Sequence, residues 1–150
     1  MKRILFLVGA LCCFVFAAQA QAGNHNLTKA ILKKDLPAAE TLLGSGADPN
    51  AGLEVVPGFP TTYLITAASN NSLDLVKLLL KHKAQVNQAD AFKATALMAA
   101  AGKGNKAMVE LLLGSGADVK AKDEDGKDAL AMAKEGGNLE VVALLEQKLK

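Results

Sequence analysis

Thr62-Tyr63-Leu64-Ile65-Thr66-Ala67-Ala68, Thr95-Ala96-Leu97-Met98-Ala99-Ala100-Ala101 and Asp128-Ala129-Leu130-Ala131-Met132-Ala133 are three versions of one phrase. Their central leucines, Leu64, Leu97 and Leu130, are spaced by 33 residues. A second phrase follows each of them: Leu73-Asp74-Leu75-Val76-Lys77-Leu78-Leu79-Leu80, Lys106-Ala107-Met108-Val109-Glu110-Leu111-Leu112-Leu113 and Leu139-Glu140-Val141-Val142-Ala143-Leu144-Leu145. A third phrase, Gly44-Ser45-Gly46-Ala47-Asp48, returns almost unchanged as Gly114-Ser115-Gly116-Ala117-Asp118, with Lys81-His82-Lys83-Ala84-Gln85 as a weaker copy. A fixed period of this length marks a repeat architecture, in which each unit buries its apolar side only against its neighbours.

Thr62, Thr95 and Asp128 are N-cap residues, able to accept a hydrogen bond from a free amide at the start of a helix. The alanines after them favour helix and allow close helix packing. Gly104 and Gly137 stand where that short helix must stop and the chain reverse through a left-handed residue. Asn71 tolerates this conformation at the equivalent place; Lys34 does so less readily. The second helix has leucine and valine at helical spacing, and Gly46 and Gly116 close it. Counting back places a first unit from about Asn26-Leu27, with Leu36 to Leu43 as its second phrase. Gly46 to Lys83 is 37 residues, so four residues are inserted before the second unit, within Leu53 to Pro57.

A 33-residue unit of turn, short helix, turn and longer helix resembles the ankyrin repeat. The resemblance rests on Ala47-Asp48-Pro49-Asn50-Ala51, Ala84-Gln85-Val86-Asn87 and Ala117-Asp118-Val119-Lys120-Ala121, and covers Asn24 to Lys150. The family's opening Thr-Pro-Leu-His loses its Pro and His in every unit. The expected fold is an all-α ankyrin-repeat solenoid over residues 23–150. Its four helix-turn-helix units run over about 24–52, 53–89, 90–122 and 123–150, with hairpin-like connecting loops. Glu146, in place of a leucine, and the lysines of the first and last units suit polar ends to the stack.

Ahead of the repeats stands an export pattern over residues 1–22. Met1-Lys2-Arg3 is basic, Ile4 to Phe16 carries no charge, and Ala17 to Ala22 is small and neutral. This is the three-part form of a secretory signal, with cleavage expected after Ala20 or Ala22. The apolar run is thirteen residues, against about 20 for a membrane span. An uncleaved anchor is the competing reading. Leu11 and Cys12, preceding the two cysteines, are not the small residue that lipidation would want. The brevity of the signal points to a bacterium and a periplasmic protein. Cleavage removes Lys2, Arg3 and both cysteines. The remaining chain has 15 basic and 15 acidic residues and no thiol or disulfide chemistry.

The residues that could carry chemistry do not converge. His25 and His82 fall at different repeat positions with no cysteine near, which argues against a metal or catalytic histidine site. Gly44-Ser45-Gly46 and Gly114-Ser115-Gly116 lack nucleophile-elbow spacing and lie at helix C-termini, where carbonyls repel phosphate. Asp123-Glu124-Asp125-Gly126-Lys127-Asp128 fails as a calcium loop: with Gly126 sixth, the first and twelfth positions are Ala121 and Met132. It reads as a turn before a capped helix. Balanced charge and a 4% aromatic content leave no footprint for nucleic acid. Asn26-Leu27-Thr28 and Asn70-Asn71-Ser72 match the glycosylation pattern, read as coincidence in a bacterial protein.

The expectation is therefore a monomeric, non-enzymatic module without cofactor that binds another protein. Phe59 and Phe92, 33 residues apart, share a place in successive units three residues before the cap, where stacking sets them side by side. Each could instead fold back on its own loop. The insertion adds Val55 and Val56, stiffened by Pro57 and Pro60; it stands out as an apolar finger or lies down over the first unit. The third tip carries Glu124 and Asp125. The family resemblance implies binding through a concave face of hairpin tips and first helices, and by that analogy adds Lys93, Lys103, Lys127, Ser69 and Asn70. Protection of a periplasmic enzyme and neutralisation of a toxin are the two roles it suggests. A secreted effector that binds a host protein is the alternative, and a hydrolase or metal-dependent module the weaker one.

Overall fold

A computed structural model describes residues 23–150; the expected export signal, 1–22, lies outside the described residues. Helix α1 covers 23–33 and α2 covers Leu36–Gly44. Strands β1 (Gly52–Val56) and β2 (Phe59–Thr62) follow. Then come α3 (Tyr63–Ser69) and α4 (Leu73–Lys81), α5 (Ala96–Gly102) and α6 (Lys106–Gly114), and α7 (Ala129–Glu135) and α8 (Leu139–Lys148).

Each helix pair is cut from the chain by the same local chemistry. Thr62 Oγ1 accepts the Ile65 amide at 3.0 Å, Thr95 Oγ1 that of Met98 at 3.4 Å, and Asp128 Oδ1 that of Ala131 at 2.8 Å. The first helix of each pair stops at a left-handed residue: Lys34, Asn71, Gly104 or Gly137, with φ of 56°, 57°, 70° and 69°. The following amide then bonds back to the carbonyl five residues earlier, as from Asn105 to Ala100 and from Asn138 to Ala133. That pairing satisfies carbonyls that the helix end would leave orphaned.

The pairs stack in two layers. Helices α3, α5 and α7 pack side by side in one, and α2, α4, α6 and α8 in the other. Ala67, Ala68, Ala100, Ala101 and Ala133 are buried in the first layer, where small side chains let short helices approach. Leu79, Met108, Leu112 and Leu145 fill the second. Neither layer has a single centre; the apolar core runs on from one pair to the next. Tyr63 ties the first pair to the second. Its ring is fully buried, and its hydroxyl lies 3.0 Å from both Thr28 Oγ1 and the Asn24 carbonyl.

The all-α expectation needs one correction. The segment holding the insertion forms an antiparallel two-stranded ribbon, β1 with β2, which pairs Gly52 with Thr62 and Leu53 with Thr61. Val55, Val56, Thr61 and Thr62 are β-branched, and Pro57-Gly58 supplies the turn, with Gly58 at φ 83°. The ribbon stands away from the body: Leu53 alone is buried on β1, while Val55 and Val56 are exposed. The expected boundary at residue 53 falls inside β1.

Candidate interaction surface

The loops before α5 and α7 are built on one plan. Asp90 Oδ1 accepts the amides of Phe92 and Ala94, both at 2.9 Å, and Asp123 Oδ1 accepts those of Asp125 and Lys127 at 3.0 and 2.8 Å. Each aspartate also donates its own amide to the far side of its turn, to the carbonyl of Ala94 or Lys127. Lys93 and Gly126 take the left-handed place, at φ 59° and 75°. A side chain thus does in four residues what the β1–β2 ladder does in the longer loop.

These tips are joined to one another. Pro60 sits opposite Glu54 in the ribbon and has no amide to donate. Its carbonyl accepts the Ala91 amide at 3.0 Å, and the Phe92 carbonyl accepts the Glu124 amide at 3.0 Å. Ribbon, second turn and third turn form a continuous row held by backbone hydrogen bonds.

Phe59 and Phe92 lie in this row. Their ring centroids are 5.3 Å apart and the planes differ by 11°. Neither ring folds back on its own loop; each covers one face of the other and remains about half exposed, at 48% and 49%. Val55 and Val56 are equally open, at 55% and 54%. The ribbon and the second turn together present an apolar tip fixed from below by buried Leu53.

Below the tips, the first-helix layer forms a groove of about 380 Å³. Ile65, Ala94, Met98 and Met132 supply its apolar lining, and Ser69 and Lys103 its polar rim. Lys103 is the C-cap of α5. Lys93 is exposed on the second turn beside the groove. Lys127 is differently placed: its Nζ lies 2.7 Å from Glu135 Oε1, and that bond holds its ammonium above the usual lysine pKa. The pair lies at the surface, with 39% of the lysine side chain in solvent, so Lys127 is held by Glu135 and still reachable. Glu124 and Asp125 are exposed on the third turn and make no ion pair among the described residues.

Sequence reading missed five residues. Asp90 and Asp123 organise the turns, and their 33-residue spacing was the available signal. Met98, a buried core residue, and the partly exposed Met132 form the floor of the groove, a double role that a helical stripe does not reveal by pattern alone. The role of Tyr63 leaves no local signal, because its partners, Thr28 and Asn24, lie far back in the chain. His25 is exposed in α1 and His82 caps α4, so neither joins a cluster. Among the described residues, no three His, Cys, Asp or Glu side chains gather to hold a metal, and no helix is long and apolar enough to cross a membrane.

The family profile for ankyrin repeats, in three copies, matches residues 27–123. The chain belongs to the ankyrin repeat family. No curated protein matches the sequence. Ankyrin repeats are generally non-enzymatic binding modules, and they indicate a protein–protein interaction module here. In this ankyrin-repeat protein the matched residues take in most of α1, α2 to α6, the ribbon and the second turn, and stop at Asp123, where the third turn begins. Helices α7 and α8 extend beyond the match. They pack on α5 and α6 as the preceding pairs pack on each other.

Proposed function

We propose that this ankyrin-repeat protein is a non-enzymatic, monomeric binding module exported to a bacterial periplasm, where it takes a partner protein on its hairpin tips and concave groove. The reading rests on one observation above others: the Phe59–Phe92 stack, half exposed on a row of tips that backbone hydrogen bonds already hold in place. Aromatic side chains on a preorganised surface lose little entropy on docking and supply much of the contact energy. Val55 and Val56 widen the anchor, and Lys93, Lys103, Glu124 and Asp125 form its charged surround. Protection of a periplasmic enzyme or neutralisation of a toxin acting there both suit such a module.

The fourth helix pair completes the array in this reading. Lys134 and Glu146 stand 33 residues after Ala101 and Leu113 and form an ion pair at 3.1 Å. Charge there replaces apolar residues on the outer side of α7 and α8, as a closing unit requires.

Affinity capture from periplasmic extract tests the proposal. The purified protein is expected to retain a specific protein, and the double variant Phe59→Ala, Phe92→Ala to release it while keeping its helical circular dichroism. Undiminished retention by the folded variant removes the tips from the binding site. N-terminal sequencing of the exported chain tests localisation, with Gln21 or Gly23 expected first.

A further inference from the structure

The row of tips has a direction. It begins with the apolar ribbon carrying Val55, Val56 and Phe59, continues through Phe92, and ends at the third turn with Glu124 and Asp125. The hydrogen bonds from Ala91 to Pro60 and from Glu124 to Phe92 fix this order. The charge along it is unequal. Glu54, Asp90, Asp123, Glu124 and Asp125 stand in the ribbon and turns, against Lys93 and Lys127, with Lys122 flanking the third turn. Glu135 already holds Lys127. Asp90 and Asp123 each give one carboxylate oxygen to two amides of their own turn. The carboxylates of Glu124 and Asp125 remain exposed and without an ion-pair partner among the described residues.

We infer that the partner docks an extended segment of mixed chemistry: an aromatic or aliphatic residue on the Phe59–Phe92 stack and a Lys or Arg on Glu124 and Asp125. Packed helices lie about 8–10 Å apart, which sets the step from one tip to the next. An extended chain covers that step in about three residues, at about 3.3 Å each. The recognised pattern is an apolar anchor with a cation two to four positions away. The apolar contact provides affinity, and the carboxylates choose the register and reject acidic competitors, which is what exposed interfacial charges do best. A nucleic acid or an anionic lipid surface would meet like charge at the third turn. The inference rests on the tips being the docking surface, as proposed above, and adds the chemistry of what docks.

A phage-displayed random dodecapeptide library panned against the purified protein supplies the probe. Peptides enriched on the wild type are expected to carry a Lys or Arg two to four residues from an aromatic or aliphatic one. Panning on Glu124→Lys, Asp125→Lys should shift the charge preference to Asp or Glu and keep the anchor. In fluorescence polarisation, a selected basic peptide should lose at least tenfold in affinity on that variant, and should weaken as salt is raised. Enrichment with no charge preference, with an acidic preference on the wild type, or of no peptide at all overturns the inference. Basic peptides whose affinity ignores the charge reversal overturn it equally. So does tip-dependent self-association in sedimentation, which would make a second copy the occupant. The underlying reading fails separately: enriched peptides that bind Phe59→Ala, Phe92→Ala as well as wild type would show that the tips are not the docking surface.

Discussion

Asn87, in the loop after α4, reaches across to the following helix pair and closes the end of α6. Its Oδ1 accepts the Asp118 amide at 2.8 Å, and its Nδ2 donates to the Gly116 carbonyl at 3.0 Å. Asn50 does the same one pair earlier, accepting from Gln85 at 2.7 Å and donating to Lys83 at 3.3 Å. One amide side chain satisfies a donor and an acceptor that the left-handed turns at Lys83 and Gly116 leave facing the neighbouring unit. Lys120 occupies the next equivalent position and has no such group to offer. The clasp therefore operates at the inner boundaries of the stack, and its removal should loosen them one at a time.

Asn87→Ala is expected to cost about 1 kcal/mol, since the two lost hydrogen bonds are exposed and water replaces part of them. That corresponds to a fall in melting temperature of about 4 °C for a domain of this size. Asn50→Ala should cost a similar amount, and the double variant should come close to the sum, because the two clasps share no partner. Thermal unfolding followed by circular dichroism checks this; two unchanged midpoints would remove the clasp from the account of stability.

Gly104 and Gly137 have almost the same left-handed backbone, but they should not tolerate alanine equally. At Gly137 an added methyl group meets open space, so the cost is the left-handed strain, about 1 kcal/mol. At Gly104 it would run into the Asn138 side chain. That side chain donates to the carbonyls of Ala101 and Gly102, both at 3.3 Å, and joins the fourth pair to the third. Gly104→Ala should therefore destabilise about twice as much as Gly137→Ala, measured by urea titration. Equal midpoints would mean that Asn138 moves aside without loss.

Burial pushes the Tyr63 phenol above its ordinary value, outweighing the opposing hydrogen bond from Thr28. A raised folded-state value means that the unfolded chain loses this proton first. The stabilising contribution is complete below about pH 10 and declines as pH rises through the folded-state value. Tyr63→Phe should be less stable than wild type at pH 7 by about 1 kcal/mol, from the lost hydroxyl contacts. The gap should narrow above pH 10, where unfolded tyrosine ionises and unfolded phenylalanine cannot. A constant gap from pH 7 to 11 would show that the phenol titrates alike in both states.

The Phe59–Phe92 stack should matter more to binding than to folding. Both rings are half in water, so replacing both with alanine should lower stability by about 1 kcal/mol, the scale of one aromatic pair. Partner capture should be lost. A fall in melting temperature matching that of a buried leucine, several times larger, would place the rings in the core instead.

The period of 33, the helix starts at Thr62, Thr95 and Asp128, and the reversals at Asn71, Gly104 and Gly137 were legible in the chain. Each depends on groups within about five residues, and local hydrogen bonds and backbone preference decide them. The side-by-side placing of Phe59 and Phe92 was also legible, because residues one period apart become neighbours in any stack. The ribbon was harder. Its residues spell a β pattern and fit the expected hairpin-like loop, but no local group decides whether it stands out or lies down over the first unit. The Lys127–Glu135 pair was not legible: Glu135 is eight residues on, and only the path of α7 brings the two to 2.7 Å.

By itself the sequence determined how the later helix pairs are delimited, how often the unit recurs and which side of each helix is apolar. Those properties follow from caps, left-handed turns and apolar spacing, whose range is one turn of chain. Only the tertiary structure decided which side chains bridge units: Tyr63 to Thr28, Asn87 to Asp118, Asn138 to Ala101. It also decided that the tips would join into one row with the aromatic rings flat against each other. Those contacts depend on the offset and rotation between successive pairs, which come from the packing of both helix layers together and leave no mark in any single stretch of residues.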